Sequence, residues 1–113
     1  MRALIYHNPR CSKSRETLQL LTDHGVEVDV VDYQAEPPSI DTLRDLSTRL
    51  GLPARSLLRF HAAQLQLAPD DERSEDEWLA LLAEHPRLIE RPIVVIGQRA
   101  VLGRPPANVL ALL

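Results

Sequence analysis

The sequence predicts an α/β fold in the order βαβ, a helical middle, then ββα, and three observations carry that prediction. An apolar run, a segment of helical periodicity and a second apolar run succeed one another at the start of the chain. Helical stripes bounded by serine and glycine fill the centre. Two further apolar runs flank Gly97-Gln98 near the end. With 113 residues, 44% of them apolar, the chain can support one core, so residues 1–113 are read as a single domain.

The elements follow in order. Ala3-Leu4-Ile5-Tyr6 reads as a first strand. Ser12 to His24 reads as a first helix, with Leu18 and Leu21 inward, Thr17, Leu20 and His24 flanking, and Gly25 as its C-terminal cap. Residues 26–33 alternate before turning apolar, as a strand does. Strand, helix and strand in this span suggest a right-handed βαβ unit with parallel strands.

Glu36-Pro37-Pro38 breaks the pattern. Ser39 then caps a helix whose stripe is Ile40, Leu43, Leu46 and Leu50, stopped by Gly51. Leu57 and Leu58 anchor a further helical turn that delivers Arg59. Gln64-Leu65-Gln66-Leu67 fits a short helix or an extended piece, and Asp70-Asp71-Glu72 a solvated loop. Ser74 and Glu77 form a capping box for a helix with Trp78, Leu81 and Leu82 buried, ending at His85-Pro86. Ile93-Val94-Val95-Ile96 and Arg99 to Gly103 form a hairpin across a type II′ turn at Gly97-Gln98. Pro105-Pro106 opens a last helix with Val109, Leu112 and Leu113 inward.

Composition excludes several functions. A net charge of −3 argues against general nucleic-acid binding. No apolar stretch approaches membrane-spanning length and no signal-peptide pattern opens the chain, so a cytoplasmic protein is expected. Twelve of the 13 basic residues are arginine, the side chain suited to bidentate oxyanion contacts. Arg44, Arg49, Arg55, Arg73 and Arg87 are expected to be solvated surface groups.

The single cysteine, Cys11, stands between the first strand and the first helix. Unpaired amides and the helix dipole stabilise a thiolate there, lowering a pKa that begins near ~8.5. A buried structural thiol is the alternative that position argues against. His7, four residues earlier, is either a surface histidine or an imidazolium favouring the thiolate. Ser12 and Ser14 can bond the sulfur or cap the helix. A dithiol pair would need cysteine at position 14, which is Ser14. A cysteine-phosphatase loop would need arginine at position 17, which is Thr17. Cys11 and His7 supply at most two zinc ligands, so no metal is expected. A monothiol remains, attacking a small electrophile and relying on glutathione or a similar thiol to resolve the product.

Tyr6-His7-Asn8-Pro9-Arg10-Cys11-Ser12-Lys13-Ser14-Arg15, Leu57-Leu58-Arg59, Glu90-Arg91-Pro92-Ile93-Val94-Val95 and Gly103-Arg104-Pro105-Pro106 resemble, in order and spacing, the glutaredoxin-coupled arsenate reductase family, in its chromosomal-type branch. The resemblance covers nearly the whole chain. It implies a thioredoxin-like fold with a helical insertion at about 39–86, and reduction of arsenate or a similar oxyanion by Cys11, with His7 and Ser14 assisting. Arg59, Arg91 and Arg104 would bind the oxyanion, and Pro92 would follow a cis peptide bond. Glutathione would be a co-substrate and glutaredoxin a partner, with no tightly bound cofactor, and the protein is expected to be a monomer. Two other readings use the same residues: a monothiol oxidoreductase acting on another substrate, and an Spx-like regulatory binding module.

Overall fold

The computed structural model describes residues 2–58 and 73–113. The expectations for Arg59, Gln64-Leu65-Gln66-Leu67 and Asp70-Asp71-Glu72 lie outside the described residues. β1 (Arg2–His7) and β2 (Glu27–Asp32) are parallel, joined through α1 (Ser12–Asp23), with His7 opposite Asp32 in the register. β3 (Ile93–Ile96) lies antiparallel on the other side of β1, and β4 (Arg99–Leu102) antiparallel beyond it, giving the order β2-β1-β3-β4. Between β2 and β3 come α2 (Ile40–Leu50), the 3-10 turn Ala54–Leu57, α3 (Glu75–Glu84) and the 3-10 turn Pro86–Leu88. The last segment, Pro106–Leu112, winds as a 3-10 helix.

Alternation along the strands divides the apolar side chains between two clusters. Ile93 packs with Tyr33, Leu43, Leu46, Leu57, Trp78, Leu79 and Leu82. Its neighbour Val94 packs with Ala3, Ile5, Leu21, Val109 and Leu112. β3 is therefore clamped from both faces, each fully buried side chain contributing roughly 1.5–3 kcal/mol. The peptide just before it, which carries Arg91, inherits that rigidity.

Local chemistry sets the helix ends. Ser39 Oγ accepts from the Thr42 N–H at 3.1 Å, and Gly51 stops α2 in the left-handed region at φ 69°. Ser74 and Glu77 make both bonds of the capping box that starts α3. Gly97 takes φ 61°, as the first central position of a primed hairpin turn requires.

Several side chains depart from expectation. Ile40 begins the α2 stripe yet is exposed, because it sits in the first turn beyond the reach of α3. In α3 Leu79 is fully buried and Leu81 only partly, because the helix packs against both α2 and the Ala54–Leu57 turn. Leu113 is exposed; the inward positions of the closing helix are Val109 and Leu112. The arginines expected to be merely solvated have specific partners. Arg44 bridges Asp41 and Asp76, tying α2 to α3, and Arg49 pairs with Asp45. The Arg55 and Arg73 guanidiniums lie 5.6 and 5.5 Å from the Trp78 ring centre, within cation–π range. Arg44, Arg55 and Arg87 are exposed as expected, and Arg87 has no ion pair among the described residues.

One glycine fixes how closely the end of the chain approaches α1. Gly103 is buried, its N–H donates to the Pro92 carbonyl at 2.9 Å, and the Thr17 hydroxyl lies 3.4 Å from its carbonyl oxygen. A Cβ there would come within 2.6 Å of Thr17 Oγ1 and 2.7 Å of Pro92 Cγ. Thr17 is fully buried and stiff at χ1, and the proline ring cannot turn away. Gly103→Ala should therefore lower stability by about 1–3 kcal/mol, read as a shift in the urea midpoint. An unchanged midpoint would show that these neighbours can yield.

Candidate active site

The site forms where β1 ends and α1 begins. Asn8, buried at the strand end, shapes the turn: its carbonyl accepts from the Cys11 N–H at 2.9 Å, its side-chain oxygen accepts from Arg10 N–H at 3.0 Å, and its own N–H donates to Ser14 Oγ at 3.3 Å. Arg15 closes the outside by donating to the Pro9 carbonyl at 2.8 Å. Cys11 is left as the N-cap of α1 in an extended conformation, φ −96° and ψ 124°, and its side chain caps no backbone amide of the helix in the usual sense.

The thiol pKa reflects that placement. Burial pushes it up, but bonds from the Ser14 N–H, the Arg91 side chain and the Lys13 N–H, together with the Arg91 charge, pull it down to about 7. Ser14 thus acts on the sulfur through its backbone amide, while its hydroxyl oxygen receives the Asn8 N–H.

Two of the three motif arginines converge here. Arg91 is only 5% exposed, and its Nε and one terminal nitrogen have no hydrogen-bond partner among the described residues. A guanidinium so buried, with donors unmet, is costly unless an anion comes to it. Arg104 extends from the loop after β4; one terminal nitrogen is 3.5 Å from Cys11 Sγ, and its Nε donates to the Arg91 carbonyl at 2.7 Å. Glu90 Oε1 lies 3.1 Å from that same Nε. The peptides before Pro92 and Pro105 are both cis. Arg59, the third arginine, falls outside the described residues.

His7 is not the surface histidine of one reading, and its surroundings disfavour the imidazolium of the other. It is 6% exposed, and burial lowers its pKa, with Arg15 lowering it further and Asp32 opposing. A neutral ring is therefore favoured at neutral pH. Its Nδ1 lacks a hydrogen-bond partner among the described residues.

Sequence reasoning gave no role to Glu90, Thr17 or Gly103. Glu90 lies inside a motif, but nothing local indicates that its carboxylate faces a side chain from the loop after β4. Among the described residues no three His, Cys, Asp or Glu side chains converge as a metal site, and no helix is long and apolar enough to cross a membrane.

The thiol chemistry gives a direct pH prediction. Iodoacetamide alkylation of Cys11 should rise with a midpoint near pH 7, and Arg91→Met should move that midpoint up. The folded pKa lies below the ordinary 9.0, so the linked stabilisation is absent below about pH 7, grows between 7 and 9 and is complete above. Unfolding free energy of the native protein relative to Cys11→Ser should increase over that window. A flat difference, or alkylation with a midpoint near 9, would show the thiol is not activated.

Comparison with known proteins agrees with this arrangement. Residues 6–112 match the ArsC family. The chain is 50% identical over 110 residues to YfgD of Escherichia coli K12, covering 94% of this chain and 92% of that one. It is 42% identical over 112 residues to an arsenate reductase of Neisseria meningitidis serogroup A, covering 96% of each. Among solved structures, an arsenate reductase from Vibrio cholerae superposes with a TM-score of 0.93 at 45% identity, covering 100% of this chain and 98% of that one. The four-stranded mixed sheet is thus a thioredoxin-like α/β fold, and with a match that spans the cysteine turn and both described arginines, the chain belongs to the ArsC family.

Proposed function

We propose that this protein reduces arsenate to arsenite, with Cys11 as nucleophile and glutathione and glutaredoxin supplying the electrons. The observation that carries the reading is Arg91: a buried guanidinium with two unmet donors, bonded to a thiol of pKa about 7. That is an electrophile-attacking sulfur beside donors suited to an oxyanion. The arsenate reductases to which the chain is similar support the substrate.

The steps balance as follows. The Cys11 thiolate attacks arsenic(V), and an arsenate oxygen leaves as water after protonation. Glutathione displaces a second oxygen as water, placing its sulfur on arsenic. A glutaredoxin thiolate then attacks the glutathione sulfur. The electron pair of the arsenic–sulfur bond stays on arsenic, which becomes arsenic(III), while glutaredoxin and glutathione leave as a mixed disulfide. Water releases arsenite from Cys11 and restores the thiol. Through these steps Arg91, Arg104 and Arg59 hold the oxyanion charge and the amides of Ser14 and Lys13 hold the sulfur charge, while buried His7 stays neutral at the end of β1. The protein acts as a monomer in the cytoplasm, with no tightly bound cofactor.

A coupled assay with purified protein, arsenate, glutathione, glutaredoxin and its NADPH-dependent recycling tests this. Arsenate-dependent turnover is expected, and Cys11→Ser should abolish it. No turnover while Cys11 is reduced and alkylatable would falsify the assignment. Arg91→Met removes charge-assisted bonds worth roughly 1.5–3 kcal/mol each, so the arsenate KM should rise about 10- to 100-fold. Because the same change removes buried unmet donors, the thermal midpoint should hold or rise. An unchanged KM would remove Arg91 from the oxyanion site.

A further inference from the structure

Glu90 stands at the junction of the segments that carry the motif arginines. It precedes Arg91 in the chain. Its N–H donates to the Leu57 carbonyl at 2.6 Å, and next to that bond Ile89 bridges Leu58, the residue leading into position 59. Its carboxylate meets Arg104, with Oε1 3.1 Å from Nε. We propose that Glu90 is a positioning residue: it holds the Arg104 guanidinium so that one N–H group points at the Cys11 sulfur. The inference rests on Cys11 and Arg104 acting together in the site proposed above.

The geometry distinguishes this from an ordinary surface pair. An arginine side chain carries about 2 kcal/mol of rotamer freedom, so an exposed one is not aimed without anchors. Arg104 has two at its Nε, whose one proton goes to the Arg91 carbonyl at 2.7 Å while Glu90 Oε1 lies 3.1 Å away as the charge partner. Both belong to the clamped strand entry, so the fork is held from a rigid base while its far end reaches 3.5 Å from Sγ. The Glu90 side chain is 21% exposed and that of Arg104 36%, so the pair is screened on the Arg104 side and less so on the Glu90 side. Placing a carboxylate beside an anion seat has an electrostatic cost, since it offsets part of the Arg104 charge. Orientation is the gain that can account for it.

Two neutral variants separate orientation from charge. Glu90→Gln keeps an oxygen acceptor at the same reach, and Glu90→Ala keeps neither acceptor nor reach. Both remove the carboxylate charge, so any difference between them reports the anchor. The Cys11 alkylation midpoint of Glu90→Ala is expected above that of Glu90→Gln by roughly half a pH unit or more. In an Arg104→Ala background that difference should vanish. Equal midpoints with Arg104 present, or a difference that survives without Arg104, would overturn the proposal. Alkylation needs no arsenate, so the result stands independently of the turnover assay. Where turnover is observed, Glu90→Ala should show a severalfold higher arsenate KM than Glu90→Gln; a matching KM would count equally against the anchor.

Discussion

The pull of the Arg91 guanidinium on the Cys11 thiolate is the constraint on which the rest of the site depends. A helix start alone supplies partial charges, and at Cys11 burial works against them. The buried guanidinium adds a full charge and a hydrogen bond, and with the amides of Ser14 and Lys13 it brings the thiol to the edge of ionisation at neutral pH. That interaction can exist only if the end of β1 and the entry to β3 lie side by side. The antiparallel pairing of Tyr6 with Ile93 puts them there. The sheet order is therefore part of the chemistry, since another order would separate the nucleophile from its cation.

Keeping His7 neutral follows from the same arrangement. A charged His7 would need a counter-charge of its own within the fold. Burial at 6% exposure lowers the histidine pKa, and the nearby Asp32 carboxylate only partly opposes that. The positive charge near the thiol is thus that of Arg91 and Arg104. A protein of net charge −3 can still focus a positive field there, because the guanidiniums sit close together and one is largely withdrawn from water.

What was legible in the sequence was local. Cys11 at the start of α1, the Ser39 and Gly51 ends of α2 and the Ser74–Glu77 box depend on residues within one helical turn, and each lies where its spacing put it. Leu79 in place of Leu81, the outward Leu113 and the stacking of Arg55 and Arg73 on Trp78 depend on what packs from elsewhere, which periodicity cannot report. The burial of His7 belongs with these. The arginines of the site were found through resemblance to a family, since Cys11 and Arg104 are 93 positions apart and no spacing rule spans that distance. Glu90 was invisible for the same reason: its role lies in a side chain it meets only after β3 and β4 have turned back.

Arg91 also shows why the strongest packing lies beside the site. Each unmet buried donor costs roughly 1–3 kcal/mol, and Arg91 carries two. Left in a loop, such a residue would turn to water and the seat would dissolve. Here it is bracketed by Leu88 and Ile89 on one side and Ile93 and Val94 on the other, all 3% exposed or less. At roughly 1.5–3 kcal/mol for each fully buried side chain, these four residues outweigh the cost of holding Arg91 unsatisfied. The fully buried pair of β3 faces opposite clusters, so neither can rotate out without exposing the other. A ligand that meets the guanidinium would then recover bonding that the apolar brackets have kept available.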